Sequence, residues 1–474
     1  MTFVILWTAH QNYFYPGMKQ RPMNNLIEKY NVPGPRYTSY PTVPYWEPQG
    51  FTPQAWGSSV QANFDQDPKQ GIGLYIHLPF CESLCTFCGC HKRITKRHEV
   101  EVPYIDLLLR EWELYCNLLG SRPTIQELHL GGGTPTFFSP DNLKGLLEGI
   151  LQRADRAGDA DFSFEGHPNS TTQQHLRTLH ELGFGRVSYG VQDYNPTVQK
   201  AINRIQPFEQ VQKVTQWSRE IGYGSVGHDL IYGLPFQTRD HIRENMEHTN
   251  ALRPDRIAFY SYAHVPWIKG NGQRGFKESD LPVSREKERQ FALGKELLSQ
   301  AGYRDVGMDH FALESDGLYR AMAGGTLHRN FMGYTTSTTG LLLGLGISSI
   351  GDSWGAFAQN VKSEREYGEL LAQGQIPVFK GHILSPEDLV LRQHILNIMC
   401  RFQTQWTQEE EELVDFGEIL ENLQEMQEDG LVELDGRQIV VSPSGRPFVR
   451  NICMAFDLKL HRKKPETRIF SMTV

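Results

Sequence analysis

The chain has 474 residues, enough for two or three domains if a barrel of about 200–250 residues counts as one. Its 47 basic and 55 acidic residues give a net charge of −8, which does not suggest binding to nucleic acid or to an anionic membrane. The apolar start at residues 2–7 is too short to span a membrane and lacks the features of a signal peptide, so we expect a cytoplasmic protein with no membrane span.

The segment before residue 70 is rich in proline, tyrosine and glutamine, as in "PGPRYTSYPTVPYWEPQ" at 33–49. Its hydrophobic periodicity is weak, which predicts an extended arm. No structure is assigned to its first residues.

From residue 74, short runs of β-branched and aromatic residues alternate with longer segments of helical period, such as 103–119. This rhythm is typical of βα units around a parallel sheet. Six runs predict strands, and six units favour an incomplete (β/α)6 barrel of the α/β class. The runs lie at 74–79, 125–133, 161–168, 186–192, 225–235 and 256–264.

The pattern changes to helices after about residue 365, at 387–402 and 416–430. A hairpin follows at 431–441, with Asp435-Gly436 as its turn. This order predicts a mainly helical, winged-helix-like C-terminal domain. The acidic run Glu409–Glu412 argues for a packing or lid role rather than DNA binding. We therefore predict an arm at 1–70, a catalytic barrel at 71–364 and a C-terminal domain at 365–474.

Four of the seven cysteines, Cys81, Cys85, Cys88 and Cys90, lie within ten positions directly after the first predicted strand. Structural zinc usually takes two separated cysteine pairs, so zinc would need distant ligands here. Three cysteines with Cys-x3-Cys-x2-Cys spacing can instead hold three corners of an iron-sulfur cubane. The fourth iron would then be open to a substrate or cofactor. The remaining cysteines, at 116, 400 and 453, are expected to be ordinary buried thiols.

The segment "CESLCTFC" matches the radical S-adenosylmethionine signature, with Phe87 before the third cysteine. The segments "GPRYTSYPT", "YIHLPFC", "LHLGGGTPT", "GVQDYN", "DLIYGLP", "GMDHF" and "LHRNFMGYTT" follow the order found in one family. From about residue 24 to its C-terminus the chain resembles the oxygen-independent coproporphyrinogen oxidases of haem synthesis.

The resemblance implies a [4Fe-4S] cluster held by Cys81, Cys85 and Cys88, with Cys90 as an additional cysteine that is not a ligand. It also implies two S-adenosylmethionine molecules, one of them bound to the open iron. A 5′-deoxyadenosyl radical would remove hydrogen from a substrate propionate, and loss of carbon dioxide and one electron would leave a vinyl group. Two such steps convert coproporphyrinogen III to protoporphyrinogen IX. The implied partners are an electron donor and an unknown acceptor, and the chain is expected to be a monomer.

The family's binding residues match positions at the ends of the predicted strands. The resemblance places the first S-adenosylmethionine at Tyr75, Gly132, Glu165 and Ile350. It places the second at Phe87, Gly133, Thr134, Gln192, Arg204, Asp229 and Ala263. Two positions after Glu165 the family carries an acidic or amide residue, whereas this chain has His167.

The implied substrate carries four carboxylates, so cations are expected near the barrel mouth. Arg36 and Arg329 are candidates for this role. His77, His310 and His328 are candidate proton or hydrogen-bond partners.

Two other functions remain open from the sequence. One is a haem-binding chaperone of the same superfamily, although such relatives generally lack the "RYTSYP" arm and the fourth cysteine. The other is a structural zinc protein whose winged-helix domain offers a partner surface.

Overall fold

The computed structural model describes residues 23–47, 49–266, 272, 273, 275–463, 465 and 469–473. The apolar start and the first part of the predicted arm lie outside the described residues. Within them, no helix is both long and apolar enough to cross a membrane.

The strands of the described chain lie in one large sheet and three small ones. They are β1 (Ile72–Leu78), β2 (Phe80–Cys81), β3 (Arg93–Ile94), β4 (Thr124–Gly132), β5 (Asp155–Gly166), β6 (Phe184–Gln192), β7 (Ser225–Tyr232), β8 (Arg256–Ser261), β9 (Arg304–Gly307), β10 (His310–Ala312), β11 (His328–Asn330), β12 (Gly333–Thr335), β13 (Leu342–Leu345), β14 (Ile350–Asp352), β15 (Ala356–Asn360), β16 (Val378–Ile383), β17 (Gln403–Gln405), β18 (Val432–Asp435) and β19 (Gln438–Val441).

The α-helices mostly connect or follow these strands. They are α1 (Met23–Tyr30), α2 (Pro53–Gln66), α3 (Glu101–Leu119), α4 (Pro140–Gln152), α5 (Gln173–Glu181), α6 (Pro196–Ala201), α7 (Phe208–Ile221), α8 (Arg239–Leu252), α9 (Ser284–Gln300), α10 (Gly317–Ala323), α11 (Glu364–Ala372), α12 (Pro386–Arg401), α13 (Phe416–Glu428), α14 (Val449–Phe456) and α15 (Leu458–Arg462).

The six predicted barrel strands are confirmed as β1 and β4–β8, which lie side by side and run parallel. The register places their carboxyl ends at one edge, as the pairing of Leu78 with Gly132 illustrates. Leu74, Ile76 and Leu128 are fully buried, because helices such as α3 and α4 cover the sheet from one side. The barrel is incomplete, with open edges at β16 and β9 of the described sheet.

A seventh parallel strand was not predicted. β13 pairs with β1, with Leu343 opposite Leu74, and β14, β15 and β16 extend the sheet as antiparallel strands. These strands have only three to six residues, and α11 lies between β15 and β16, so they give a weak periodic signal. The sheet therefore continues to Ile383, and the division of the chain at residue 364 stays a prediction.

The C-terminal part contains the predicted helices as α12 and α13. The predicted hairpin is formed by β18 and β19 and turns at Asp435 and Gly436. β17 joins this hairpin to give a small three-stranded sheet. Its buried residues share one core with Tyr37 and Tyr40 of the arm, so the C-terminal part packs against the arm.

The arm is less extended than predicted, because it contains α1 and α2. Trp56, Val60 and Phe64 of α2 are buried and recur every four residues, which is a helical spacing. Beyond α1, Pro33 forms an antiparallel bridge with Met472 near the other end of the chain.

Candidate functional site

The cysteine loop begins where β1 ends. β2 pairs with β3, and the buried ring of Phe80 packs against Tyr104 and Phe137, which fixes the backbone just before Cys81. Cys81, Cys85 and Cys88 are each half-buried, and Cys90 is exposed. The loop thus presents three thiols at the carboxyl edge of the parallel strands.

Polar groups from other elements contact these thiols. The Thr134 hydroxyl lies 3.3 Å from the Cys81 sulfur, and Arg204 donates to the Cys85 sulfur at 3.7 Å. Burial raises the pKa of the Cys81 thiol to about 11, although the Thr134 hydrogen bond acts in the opposite direction. A hydrogen bond with Cys90 lowers the pKa of Cys88 to about 6.

No group of three or more Cys, His, Asp or Glu side chains in the described chain is close enough to hold one metal ion. A multi-iron cluster spreads its thiolate ligands over several metal atoms, so this finding concerns single-ion sites. The donor set consists of sulfur atoms and suits an iron-sulfur cluster.

The glycine run at the end of β4 brings its backbone against β1 and the cysteine loop. The Gly133 amide donates to the Leu78 carbonyl at 2.8 Å, and the Thr134 amide donates to the Phe80 carbonyl at 3.0 Å. A side chain at Gly132, which has φ +113°, would lie 2.6 Å from the His77 ring. Glycine is therefore required where the strand passes this ring.

A hydrogen-bonded chain fixes the state of His77. Its Nε2 donates to the His91 carbonyl at 3.0 Å, so its Nδ1 accepts from the Tyr75 hydroxyl at 3.1 Å. Burial lowers the pKa of His77 to about 4, so the ring is neutral near pH 7. His77 therefore orients Tyr75 and the cysteine loop, and in this arrangement it carries a proton on Nε2 only and no positive charge.

Glu165 lies beside the glycine run at the end of β5. Its carboxylate accepts from the Gly132 amide at 3.3 Å and lies 3.6 Å from His129 Nε2. The side chain is 48% exposed, so it can still meet a cationic ligand. His129 forms a hydrogen bond with the Ser163 hydroxyl at 2.8 Å. His129 was not predicted as a site residue, because Ser163, which positions it, lies on the next strand.

Two adjoining cavities open at this edge. The larger cavity, of about 740 Å³, has Tyr75, His77, His129, Ile350 and Lys362 among its lining residues. The smaller cavity, of about 470 Å³, is lined by Cys81, Cys85, Cys88, Phe87, Gly133, Thr134, Gln192, Arg204 and Asp229. Cys90, Lys92, Gly132 and Glu165 line both.

Gln192, Arg204 and Asp229, which the resemblance assigns to the second S-adenosylmethionine, all line the smaller cavity. Arg204 donates to the Gly190 carbonyl at 2.6 Å and forms no ion pair with a carboxylate among the described residues. Ser188 donates to Asp229 at 3.0 Å. Burial, together with the charge of Glu165, raises the pKa of Asp229 to about 7.

Phe87 and Ala263 are linked through a residue that the sequence did not single out. Buried Gln273 donates to the Phe87 carbonyl at 3.2 Å and to the Ala263 carbonyl at 2.9 Å. Phe87 packs against the small apolar cluster that contains Ile202, Leu234 and Tyr262 and borders the smaller cavity, whereas Ala263 is exposed. A bridge between segments so distant in sequence leaves no periodic signal.

His167 also lines the smaller cavity. Its Nδ1 accepts from the Asn169 amide at 3.1 Å, and burial lowers its pKa to about 3. The position therefore holds a neutral ring.

The cations suggested for the substrate lie elsewhere. Arg36 is paired with Asp309, and Arg329 is buried, donating to the carbonyls of Arg36 and Tyr37 at 3.3 Å. His310 lies beside Asp309 at 3.1 Å. His328 lines a separate cavity, and burial lowers its pKa to about 4. Arg36 and Arg329 thus join the arm to the barrel, although the buried Nη1 of Arg329 has no hydrogen-bond partner among the described residues.

Comparisons with known proteins identify relatives of this chain. Residues 75–249 match the Radical SAM superfamily. The oxygen-independent coproporphyrinogen III oxidase of Pseudomonas aeruginosa is 38% identical, over 91% of this chain and 95% of that protein. The Escherichia coli protein of the same name is 37% identical, over 95% and 98%. The solved structure of the E. coli coproporphyrinogen III oxidase, described as a radical SAM enzyme, has a TM-score of 0.86 at 35% identity and covers 93% of this chain and 100% of that one.

The incomplete parallel barrel and its cysteine loop define a radical S-adenosylmethionine protein. Within that superfamily, the chain belongs to the family of oxygen-independent coproporphyrinogen III oxidases.

Proposed function

We propose that this chain catalyses the oxygen-independent oxidative decarboxylation of two propionate side chains of coproporphyrinogen III, giving protoporphyrinogen IX for haem synthesis. The observation that carries the proposal is the set of three thiols lining one cavity with Gly133, Gln192 and Asp229. The family relationship over nearly the whole chain supports the substrate. The haem-chaperone alternative is not favoured, because the named relatives are oxidases.

The superfamily implies a [4Fe-4S] cluster and S-adenosylmethionine. We propose Cys81, Cys85 and Cys88 as its protein ligands, leaving one iron open. Thr134 and Arg204 donate hydrogen bonds toward Cys81 and Cys85 and would stabilise thiolates there. When bound, the cluster would supply the electron that cleaves S-adenosylmethionine and starts hydrogen removal from a substrate propionate.

Two S-adenosylmethionine molecules fit the division into two cavities. The residues proposed for the first molecule, Tyr75, Gly132, Glu165 and Ile350, all line the larger cavity. Of those proposed for the second, Phe87, Gly133, Thr134, Gln192, Arg204 and Asp229 line the smaller cavity. Ala263 is connected to Phe87 through Gln273, which donates hydrogen bonds to the carbonyls of both residues. The shared Glu165 would attract the positive charge of either cofactor molecule.

The protein's own contribution is placement and exclusion of water. Neutral His77 accepts from the Tyr75 hydroxyl and donates to the backbone carbonyl of His91, so it holds both without adding a positive charge to the site. The Gly132 amide is fixed by Glu165, so the strand end presents a rigid polar backbone to the cofactor. These contacts would keep the reacting carbon beside the cleaved cofactor.

Further details of the predicted function stay part of the proposal. They are a cytoplasmic monomer, an external electron donor and acceptor, and the division of the chain at residues 70 and 364.

The proposal is tested with anaerobically purified protein, reductant, S-adenosylmethionine and coproporphyrinogen III. We expect a brown protein with about four irons per chain that forms carbon dioxide and 5′-deoxyadenosine together. The Cys88→Ser variant should lose the cluster absorption and both products. The matched variant Cys116→Ser, changed on α3 outside both cavities, should keep them.

A colourless, iron-free wild-type protein, or a fully active Cys88→Ser variant, would refute the cluster assignment. If 5′-deoxyadenosine forms without carbon dioxide, the superfamily chemistry holds and the proposed substrate is wrong.

A further inference from the structure

Two lysines line the larger cavity without an acidic partner. Lys92 and Lys362 form no ion pair with any carboxylate among the described residues. Lys92 Nζ donates to the carbonyls of Cys88 and Cys90 at 3.1 and 3.2 Å. Glu364, the acid nearest to Lys362 in sequence, is paired with Arg93. Glu165 also lines this cavity but forms no ion pair with either lysine among the described residues, so both ammonium groups can still meet an anionic ligand.

The backbone around Lys362 is fixed. The preceding residue, Val361, donates to Pro377 and accepts from Ser348, both at 2.9 Å. The following residue, Ser363, caps α11 by accepting from the Glu366 amide. Lys362 itself is exposed and lines the cavity, so its side chain extends from a fixed backbone at the cavity mouth.

Part of the wall of the larger cavity is apolar and is not assigned to the cofactor. Phe331, Met332 and Leu342 form an apolar part of the cavity wall, and none of them is assigned to S-adenosylmethionine. Tyr75 and His77 lie deeper, since both are less exposed than Lys362. The larger cavity thus combines an apolar surface with unpaired cations beside a cofactor site.

We propose that Lys362, together with Lys92, binds propionate carboxylates of the porphyrinogen at the mouth of the larger cavity. The inference rests on the proposed function and extends it, because it names the residues that recognise the substrate. An apolar macrocycle with four carboxylates matches an apolar wall with cations at its rim. His91 lines the same cavity as both lysines.

Lys362 is the better residue to test, because Lys92 also holds carbonyls of the cysteine loop. The probe is coproporphyrin III, the stable oxidised compound with the same four propionates, titrated by fluorescence quenching into anaerobic cluster-containing protein. We expect Lys362→Met to raise the Kd about 3- to 10-fold and to reduce the salt dependence of binding. Lys362→Arg should restore the affinity to within about 2-fold.

Lys144→Met is the matched control, since Lys144 is an exposed lysine on α4 outside both cavities. It should bind porphyrin as the wild type does. Iron content and the 5′-deoxyadenosine formed without porphyrin should be equal in all the variants, which reports intact folding and an intact cofactor site.

The inference is overturned if Lys362→Met binds coproporphyrin III like the wild type, or if Lys144→Met is impaired equally. It is also overturned if Lys362→Met weakens S-adenosylmethionine binding and leaves porphyrin binding unchanged. Wild-type protein that neither binds porphyrin nor releases carbon dioxide would refute the proposed function itself. Normal turnover in the wild type with no effect at Lys362 would refute only the inference.

Discussion

Gly133 illustrates how closely the backbone is packed at the site. A side chain there would lie 2.6 Å from the Pro79 carbonyl group and 2.8 Å from the Phe80 carbonyl oxygen. These are backbone atoms directly before Cys81 and cannot rotate away as a side chain can. The resemblance placed Gly133 at the second S-adenosylmethionine, but the sequence did not identify the cysteine loop as its neighbour.

We expect Gly133→Ala to displace the backbone at Pro79 and Phe80 and therefore the first cysteine. Iron content per chain should fall, and the free energy of unfolding should decrease by about 1–3 kcal/mol because the added methyl group overpacks the contact. Iron analysis and urea unfolding under anaerobic conditions measure both effects.

Gly145→Ala is the control for this substitution. Gly145 lies on α4, and a side chain there would meet no atom within 4 Å. It should keep full iron content and gain up to about 1 kcal/mol of stability from helix propensity. Equal iron content in both variants would contradict the predicted displacement.

At the scale of elements, a buried carboxylate joins segments far apart in the chain. Glu111 of α3 accepts from the Gly346 amide after β13 at 2.8 Å, from Asn360 of β15 at 2.6 Å and from Tyr367 of α11 at 2.5 Å. The amphipathic pattern of α3 could be predicted from sequence. Its docking onto the added strands could not, because β13 comes more than two hundred residues later and its pairing depends on tertiary contacts.

This carboxylate makes stability depend on pH. Burial raises the pKa of Glu111 to about 7, despite its three hydrogen bonds. The unfolded chain releases this proton near pH 4.5 and the folded chain only near pH 7, so the contribution of Glu111 to the free energy of unfolding falls as pH rises across that window. Between pH 5 and pH 7 the loss should be about 2–3 kcal/mol.

The Glu111→Gln variant lacks this proton equilibrium. The stability of wild type minus that of the variant should therefore decrease by about 2–3 kcal/mol from pH 5 to pH 7, as measured by urea unfolding. Glu113→Gln, on the same helix and half-exposed, controls for the loss of one negative charge. Parallel pH curves for wild type and Glu111→Gln would contradict the expectation.

At the scale of the whole molecule, the arm, the end of the chain and the C-terminal helices hold one another. Arg450 of α14 donates to the carbonyls of Gly34 and Pro35 in the arm and to Met472 and Thr473 near the chain end. The α/β class, the incomplete barrel and the C-terminal hairpin were all predictable from local patterns. The way in which Arg450 joins the arm to the end of the chain was not predictable, since a buried arginine bonded to carbonyl groups has no signature in sequence.

We expect Arg450→Lys to loosen this arrangement, because a single ammonium cannot reach carbonyls from two separate segments. The free energy of unfolding should fall by about 2–4 kcal/mol, and amide exchange at Gly34 and Thr473 should become faster. Urea unfolding and hydrogen exchange measured by mass spectrometry test the two effects.

Arg446→Lys serves as the comparison. Arg446 is exposed and lies over the Phe402 ring at 4.6 Å, so its loss should cost less than about 1 kcal/mol. If both variants are equally stable and exchange at the same rates, Arg450 does not hold the arm.

The position of Glu165 between the two cavities has a consequence for redesign. A neutral residue there would change the electrostatic potential of both compartments in a single step, so their ligand preferences could not be adjusted independently through it. Tyr75 borders only the larger compartment and Asp229 only the smaller one. Attempts to make one compartment accept a new molecule while preserving its neighbour should therefore begin at those two side chains.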